Sequence, residues 1–165
     1  MTPLARHRYP TGLSRRGLLL GAGALGLVGA AHAQAGALLP MATSLPQHLA
    51  NALQQGNPLV VMVSLPGCPF CRVARDNYLA PLLREQSLPI VQVDMLGRQP
   101  LVGFQGANTT YDAQVQAWGV KVAPTVLFFG RGGAEAAERL VGGMLPDFYG
   151  AYLDQRIATA RKALS

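Results

Sequence analysis

The chain has 165 residues, of which 50% are hydrophobic and 13% are charged, a length that suits a single domain. Its formal net charge is +6, but Arg6, Arg8, Arg15 and Arg16 precede Gln34 in a segment without acidic residues, so the remainder carries 6 − 4 = +2. The other Lys and Arg residues are scattered and form no basic stripe with interleaved aromatic residues, so we predict no nucleic-acid partner.

Residues 1–33 have the organisation of an export signal peptide. A basic region from Arg6 to Arg16 precedes an apolar run of roughly fourteen residues, which is shorter than the ~20 that a membrane-spanning helix needs. Ala31-His32-Ala33 is the small-x-small pattern that a signal peptidase cleaves. The segment Ser14–Leu19 resembles the twin-arginine signal but lacks the usual Phe and trailing Lys. We therefore expect a periplasmic protein exported by the twin-arginine route, with Sec export or an uncleaved anchor as alternatives.

Alternating helices and strands are predicted after this signal. Residues 34–45 show no clear period and contain Pro40, which indicates a linker before a domain at 46–165. The predicted elements, in chain order, are a helix at 46–55, a strand at 59–65, a helix from the cysteine motif to about residue 83, a strand at 89–94, a helix from Thr109 or Thr110 to Trp118, strands at 126–129 and 137–141, and a helix at 147–162. This order predicts an α/β fold with a mixed sheet, because a strand-helix-strand unit gives a parallel pair and the last two strands form a hairpin.

Several residues have predicted places in this scheme. The apolar, β-branched run Leu59–Leu65 is typical of a strand buried on both faces. Pro81 predicts a kink or an early stop in the helix after the cysteines. The segment 96–110 has no sustained period and is predicted to be a loop, either a tolerated insertion or a partner platform, with the insertion preferred. The core candidates are Val73, Tyr78 and Leu79 in the second helix, Phe148, Tyr152, Leu153 and Ile157 in the last helix, and Met62, Met95 and Met144; Trp118 is expected to pack at its helix end and Tyr149 to lie on the surface.

The two cysteines, Cys68 and Cys71, are three positions apart. A bridge between them closes a very small loop and stabilises the fold little, so it suits a bond that is made and broken. Cys68 is predicted at a helix N-terminus, which favours the thiolate that attacks disulfides, while Cys71 lies one turn further and can resolve a mixed disulfide. Arg72 and Arg75 add positive charge nearby, partly offset by Asp76. Phe70 is predicted to present its ring to the substrate, with a core position as the alternative.

Four local features, taken together, resemble the thioredoxin family. They are Cys68-Pro69-Phe70-Cys71 at a strand-to-helix junction, the apolar strand before it, a strand ending in Asp94, and Ala123-Pro124-Thr125 before another apolar strand. Gly142-Gly143 after the edge strand also fits the pattern. The resemblance spans about residues 59–158 and is closest to periplasmic thioredoxins of the sulfur-oxidation type.

This resemblance implies a thioredoxin fold, with a central mixed sheet of about four strands flanked by helices, and thiol–disulfide oxidoreductase activity. Cys68 and Cys71 are the implied catalytic residues, and their redox-active disulfide replaces any cofactor. In the family the proline is cis and packs beside the disulfide, so Ala123 and Pro124 join Phe70 as predicted substrate-binding residues. An extended substrate segment would pair with the backbone of Ala123.

The sequence departs from the family at two positions. A buried Asp that moves a proton to or from the second cysteine is replaced by Met62, so water or the surroundings of Cys71 take that role, or nothing does. The usual Trp before the first cysteine is Gly67.

Other site classes have less support. After the signal only His48 and the two cysteines remain as His or Cys ligands, whereas a structural zinc site needs about four. Arg72 follows the second cysteine, so covalent haem attachment is unsupported. Two thiolates suit Cu(I), which leaves a copper chaperone as an alternative. A binding module with a non-catalytic disulfide is the other alternative.

The sequence leaves the direction of electron flow open, since reductants and oxidants share this motif. A stabilised Cys68 thiolate favours an oxidant, and the resemblance to sulfur-oxidation thioredoxins favours a reductant, which we prefer. The expected partners are protein thiols or disulfides and, as a source of electrons, a membrane thiol transporter, because NADPH is absent outside the cytoplasm.

The predicted signal can be tested by replacing both arginines of the twin pair. Arg15→Lys with Arg16→Lys should block export, because the twin-arginine route recognises the guanidinium pair. The chain should then remain in the cytoplasm with its N-terminus intact. Cell fractionation and N-terminal sequencing measure both, with Arg6→Lys and Arg8→Lys together as the matched control. Normal export of the first variant would indicate Sec, and an uncleaved periplasmic protein would contradict cleavage after Ala33.

Overall fold

A mixed four-stranded sheet organises the computed structural model, which describes residues 38–143 and 146–165. The elements are α1 (Leu45–Gln54), β1 (Leu59–Ser64), α2 (Pro69–Ala74), a π-helical turn (Arg75–Leu79), α3 (Ala80–Gln86), β2 (Ile90–Asp94), β3 (Pro100–Val102), β4 (Asn108–Thr110), α4 (Tyr111–Ala117), β5 (Thr125–Phe129), a 3₁₀ turn (Arg131–Gly133), β6 (Glu135–Val141) and α5 (Pro146–Lys162). The predicted export signal and Met144 lie outside the described residues.

The strand order is β2-β1-β5-β6, with β1 and β2 parallel and the other pairs antiparallel. All six residues of β1 are buried, as its apolar run predicts. Alternate side chains point to two cores: Met62 faces the layer of α2, α3 and α5, and Val61 faces the layer of α1 and α4. The predicted α/β class and the mixed sheet of four strands flanked by helices are confirmed.

The helical segment after the cysteines differs from the prediction in its middle. It runs to Gln86, but the turn from Arg75 to Leu79 is π-helical. Pro81 neither stops nor breaks the segment, because it lies in the first turn of α3, where its missing N–H costs little. Leu79 is buried as predicted, whereas Val73 is 40% exposed, because Cys71 and Ala74 are the α2 residues that face the sheet.

The predicted linker differs from the structure over residues 39–44, which pack on the domain. Leu39 and Ala42 are buried, and this segment pairs with the edge of β2. The Ala42 N–H donates to the Gln92 carbonyl at 2.9 Å, and the Gln92 N–H donates to the Pro40 carbonyl at 2.8 Å. The Tyr111 hydroxyl also donates to the Ala42 carbonyl at 2.6 Å. Backbone pairing of this kind has no side-chain period, so the sequence did not indicate it.

The segment 96–110, predicted as a loop, contains the β3–β4 hairpin. Leu101 of this hairpin is buried in the core, and the Val102 N–H donates to the Thr43 carbonyl at 3.0 Å. Phe104, between the two strands, lies with its ring centre 4.7 Å from that of Phe129 and 6.5 Å from that of Trp118. Trp118 is therefore a packing residue, as predicted, and the inserted segment contributes to the core.

The last helix buries a different set of aromatic residues from the one predicted. Leu153 and Ile157 are buried, but Tyr149 is buried and Tyr152 is 44% exposed, the reverse of the prediction, and Phe148 is 56% exposed. The buried positions 149, 153, 157 and 160 follow one helical face. Burial, together with the neighbouring Tyr78, raises the pKa of Tyr149 to about 12.

Met62 is buried as predicted and Met95 packs partly buried against the core. None of the helices described is both long enough and apolar enough to cross a membrane.

Removing the hydrogen bond between Tyr111 and Ala42 should measurably lower the free energy of unfolding. Tyr111→Phe should lower the free energy of unfolding by about 1–2 kcal/mol, because it removes one buried hydrogen bond and leaves its acceptor unpaired. Urea denaturation measures the change. Tyr152→Phe removes the same hydroxyl from an exposed ring and should change stability by less than about 0.5 kcal/mol; equal effects of the two substitutions would contradict this account of the N-terminal segment.

Candidate active site

Both cysteines lie at the carboxyl end of β1, where the chain turns into α2. Gly67 has φ +77°, a backbone conformation that favours glycine, and the Cys68 N–H donates to the Leu65 carbonyl at 3.1 Å. Pro69 occupies the first turn of the helix, where no N–H is needed. Glycine at position 67, where the family usually has Trp, therefore serves the turn that presents Cys68.

The two sulfurs are joined in a disulfide, with 5.3 Å between the Cα atoms. Cys68 caps the helix: its Sγ accepts the Cys71 N–H at 3.1 Å. Cys68 is partly exposed, whereas Cys71 is 1% exposed. After reduction, the same N–H and the helix N-terminus would favour a thiolate at Cys68, the sulfur that solvent and substrates can reach.

Ala123 and Pro124 lie beside the cysteines, on the segment that leads into β5. The Ala123–Pro124 bond is cis, as the resemblance implies. The Ala123 carbonyl oxygen is 3.9 Å from Cys68 Sγ. The segment is fixed on both sides, since the Gly142 N–H donates to the Pro124 carbonyl at 2.7 Å and the Thr125 hydroxyl donates to the Val122 carbonyl at 2.7 Å. The structure thus brings three predicted site residues, Cys68, Ala123 and Pro124, to one place.

Phe70 projects from the first turn of α2 and is 62% exposed, so it is not a core aromatic. Its ring lies against Gly143, where an added Cβ would come within 3.0 Å of the Phe70 Cβ and Cδ1 atoms. Val122, next to Ala123, is 47% exposed. Exposed apolar side chains therefore flank the accessible cysteine.

A cavity of about 350 Å³ opens beside the disulfide, and both cysteines line it. Its polar lining comes from Ser64 at the end of β1, from Arg72 and Arg75 of the helical segment, and from Gln92 and Asp94 of β2. Arg75 Nε donates to Asp76 Oδ1 at 2.9 Å, so this carboxylate offsets one of the two cations as expected. The sequence identifies Asp94 only as the end of a strand that resembles one in the family. Its place in the cavity follows from the register of β1 and β2, which the sequence does not specify.

Within residues 38–143 and 146–165, no three His, Cys, Asp or Glu side chains are grouped so that they could hold a metal ion.

Comparison with known proteins places these features in context. A family model described as a thioredoxin-like domain matches residues 45–157, more than half of the chain. A poplar thioredoxin h is 18% identical over 69% of this chain and 95% of its own, with a TM-score of 0.47. Oxidized mitochondrial thioredoxin 3 from Saccharomyces cerevisiae is 16% identical over 71% and 93%, with a TM-score of 0.46. The reduced periplasmic thioredoxin SoxS from Paracoccus pantotrophus is 25% identical over 62% and 98%, with a TM-score of 0.41. No curated protein matches the sequence.

The difference in exposure predicts separate tasks for the two cysteines. Cys71→Ser should form a stable mixed disulfide with a peptide disulfide through Cys68, because the accessible sulfur attacks and nothing resolves the product. Cys68→Ser should form essentially none, because Cys71 is buried. Mass spectrometry of the non-reduced proteins identifies the adducts. Trapping through Cys71 at a comparable rate would contradict the assignment.

Proposed function

The chain belongs to the thioredoxin-like family and is a thiol–disulfide oxidoreductase, and from that premise we propose that it is an exported periplasmic reductant of protein disulfides. The observation that carries the exchange chemistry is the asymmetry of the pair: Cys68 is partly exposed and its sulfur accepts a helix N–H, whereas Cys71 is buried.

The proposed reaction has two exchanges. The Cys68 thiolate attacks one sulfur of a substrate disulfide, forming the mixed disulfide and releasing the other substrate sulfur as a thiolate, which takes a proton from solvent. The Cys71 thiolate then attacks Cys68 Sγ, which forms the Cys68–Cys71 bond and releases the second substrate sulfur. The cysteine pair thus gives two electrons to the substrate; each released substrate thiolate takes a proton from solvent, and Cys68 and Cys71 each release one proton when they form their thiolates.

The surroundings of Cys68 support a protein substrate. Ala123 and Pro124 border the sulfur, and an extended segment passing there would meet the Ala123 backbone in the manner of an added strand. Phe70 and Val122 are exposed beside this path and would contact apolar side chains of the segment. We therefore propose that Phe70, Ala123 and Pro124 bind substrate.

The proposed direction and location come from the sequence. The resemblance to sulfur-oxidation thioredoxins supports a reductant, and the basic, apolar and small-residue pattern of residues 1–33 supports export to the periplasm. A reductant in that compartment needs thiols regenerated by a membrane transporter, because glutathione and thioredoxin maintain reduced thiols in the cytosol.

The proposed activity predicts turnover with a dithiol and a low reduction potential. With dithiothreitol as electron source, the protein should accelerate the reduction of insulin disulfides, and Cys68→Ser should abolish the acceleration. Titration of the Cys68–Cys71 pair against glutathione should give a potential closer to about −270 mV, as in reducing thioredoxins, than to about −120 mV, as in strong periplasmic oxidants.

The outcomes separate the alternatives. A potential near −120 mV would reverse the proposed direction while leaving the enzyme class intact. Bound substrate without turnover would indicate a binding module. Binding of one Cu(I) per protein, at the copper concentrations found in cells and with loss of insulin reduction, would favour a copper chaperone.

A further inference from the structure

The cavity beside the disulfide contains one carboxylate, that of Asp94, among the residues that line it. Asp94 is the last residue of β2 and is half-buried. It lies opposite Ser64 of β1 in the parallel register, and Ser64 also lines the cavity. The small Ser64 side chain leaves space between the end of β2 and the cysteines.

Cys71 also lines this cavity, and its chemistry requires a base there. The thiol must lose its proton before it attacks the mixed disulfide, because the thiolate is the nucleophile. Cys71 is 1% exposed, so bulk solvent cannot take the proton directly. Met62 occupies the β1 position at which the family has its proton-transferring Asp, and its fully buried side chain contains no proton acceptor.

Gln92, which also lines the cavity, is hydrogen-bonded to the Asp94 carboxylate. Its Nε2 donates to Asp94 Oδ1 at 3.1 Å, which orients the carboxylate. Its Oε1 is buried away from solvent and has no hydrogen-bond partner in the protein. The cavity, of about 350 Å³, is large enough for several water molecules beside the carboxylate and Cys71.

We propose that Asp94, oriented by Gln92, is the proton acceptor and donor for Cys71, acting through water in the cavity that both residues line. The inference rests on the proposed function, since it assigns a role within the same exchange. In the resolving step the Cys71 proton passes through water to the Asp94 carboxylate, and the Cys71 thiolate forms the bond to Cys68 as the bond to substrate breaks. In the opposite direction, protonated Asp94 returns the proton to Cys71 as it leaves the disulfide.

Other charged and titratable groups act on this region. Arg72 and Arg75 line the cavity from the helical segment, and Arg75 is already paired with Asp76. Tyr111, on α4, has its pKa raised by burial and also by the negative charge of Asp94.

The decisive experiment measures the rate of the second exchange, in which Cys71 displaces the substrate from Cys68. Reduced protein is mixed with a peptide disulfide, quenched with acid, and the mixed disulfide is quantified across pH. Asp94→Asn should slow its disappearance about a hundredfold or more, the lower end of what a general acid–base group contributes, and should change the pH profile of that step. Asp94→Glu should restore most of the rate. Asp154→Asn, which removes the same charge from the exposed face of α5, should leave both unchanged.

The first exchange provides an internal control. The rate at which iodoacetamide alkylates Cys68 should be the same in Cys71→Ser with and without Asp94→Asn, because Asp94 acts on Cys71. In the reduced wild-type protein, the ¹³C resonances of Cys71 Cβ and Asp94 Cγ should share inflections on titration; this measurement requires no variant to fold.

Two failures can be distinguished. If wild-type protein forms no mixed disulfide, the proposed function is wrong. If wild type resolves the mixed disulfide and Asp94→Asn does so within twofold and with the same pH profile, or if the two resonances titrate independently, the role of Asp94 is overturned while the oxidoreductase stands.

Discussion

The site depends on one constraint: β1 is buried along its whole length and must end where the cysteine motif begins. Because neighbours on both faces and both edges fix β1, its carboxyl end is held in place, and the turn at Gly67 can deliver Cys68 to the surface at a defined point. The parallel neighbour β2 ends at the same edge, which brings Asp94 to that point as well. The antiparallel neighbour β5 begins there, and Pro124 immediately precedes its first residue. Three elements that are distant in sequence thus meet because one strand is central.

The disulfide borders two environments. Cys68 faces exposed apolar side chains and the backbone of Ala123, a surface for an extended chain. Both cysteines also line the cavity with its arginines, amide and carboxylate. The proposed substrate contact and proton exchange would therefore use different neighbours of the same pair.

The sequence predicted the parts of the fold that repeat a side-chain pattern. The apolar runs located β1, β2 and β5, and the paired motifs located Cys68, Cys71 and Pro124. It did not predict features held by backbone hydrogen bonds or by very short elements, such as the pairing of Ala42 with Gln92 and the three-residue strands β3 and β4. It reversed Tyr149 and Tyr152, because the buried face of α5 is centred on Tyr149, Leu153, Ile157 and Ala160, which leaves Tyr152 beyond its edge. It also left Asp94 without a role, because strand register is a tertiary property.

The π-helical turn after the motif has a consequence for comparing related chains. A π turn adds one residue without changing the course of the helix. A regular α-helix would direct the residue seven places after the second cysteine toward the sheet, whereas here Leu79, eight places after Cys71, is fully buried and Tyr78 only partly. An alignment of this chain with a relative that has a regular helix therefore needs a one-residue gap between Arg75 and Leu79. Without that gap, the buried Leu79 and Ala80 would be matched one position out of register.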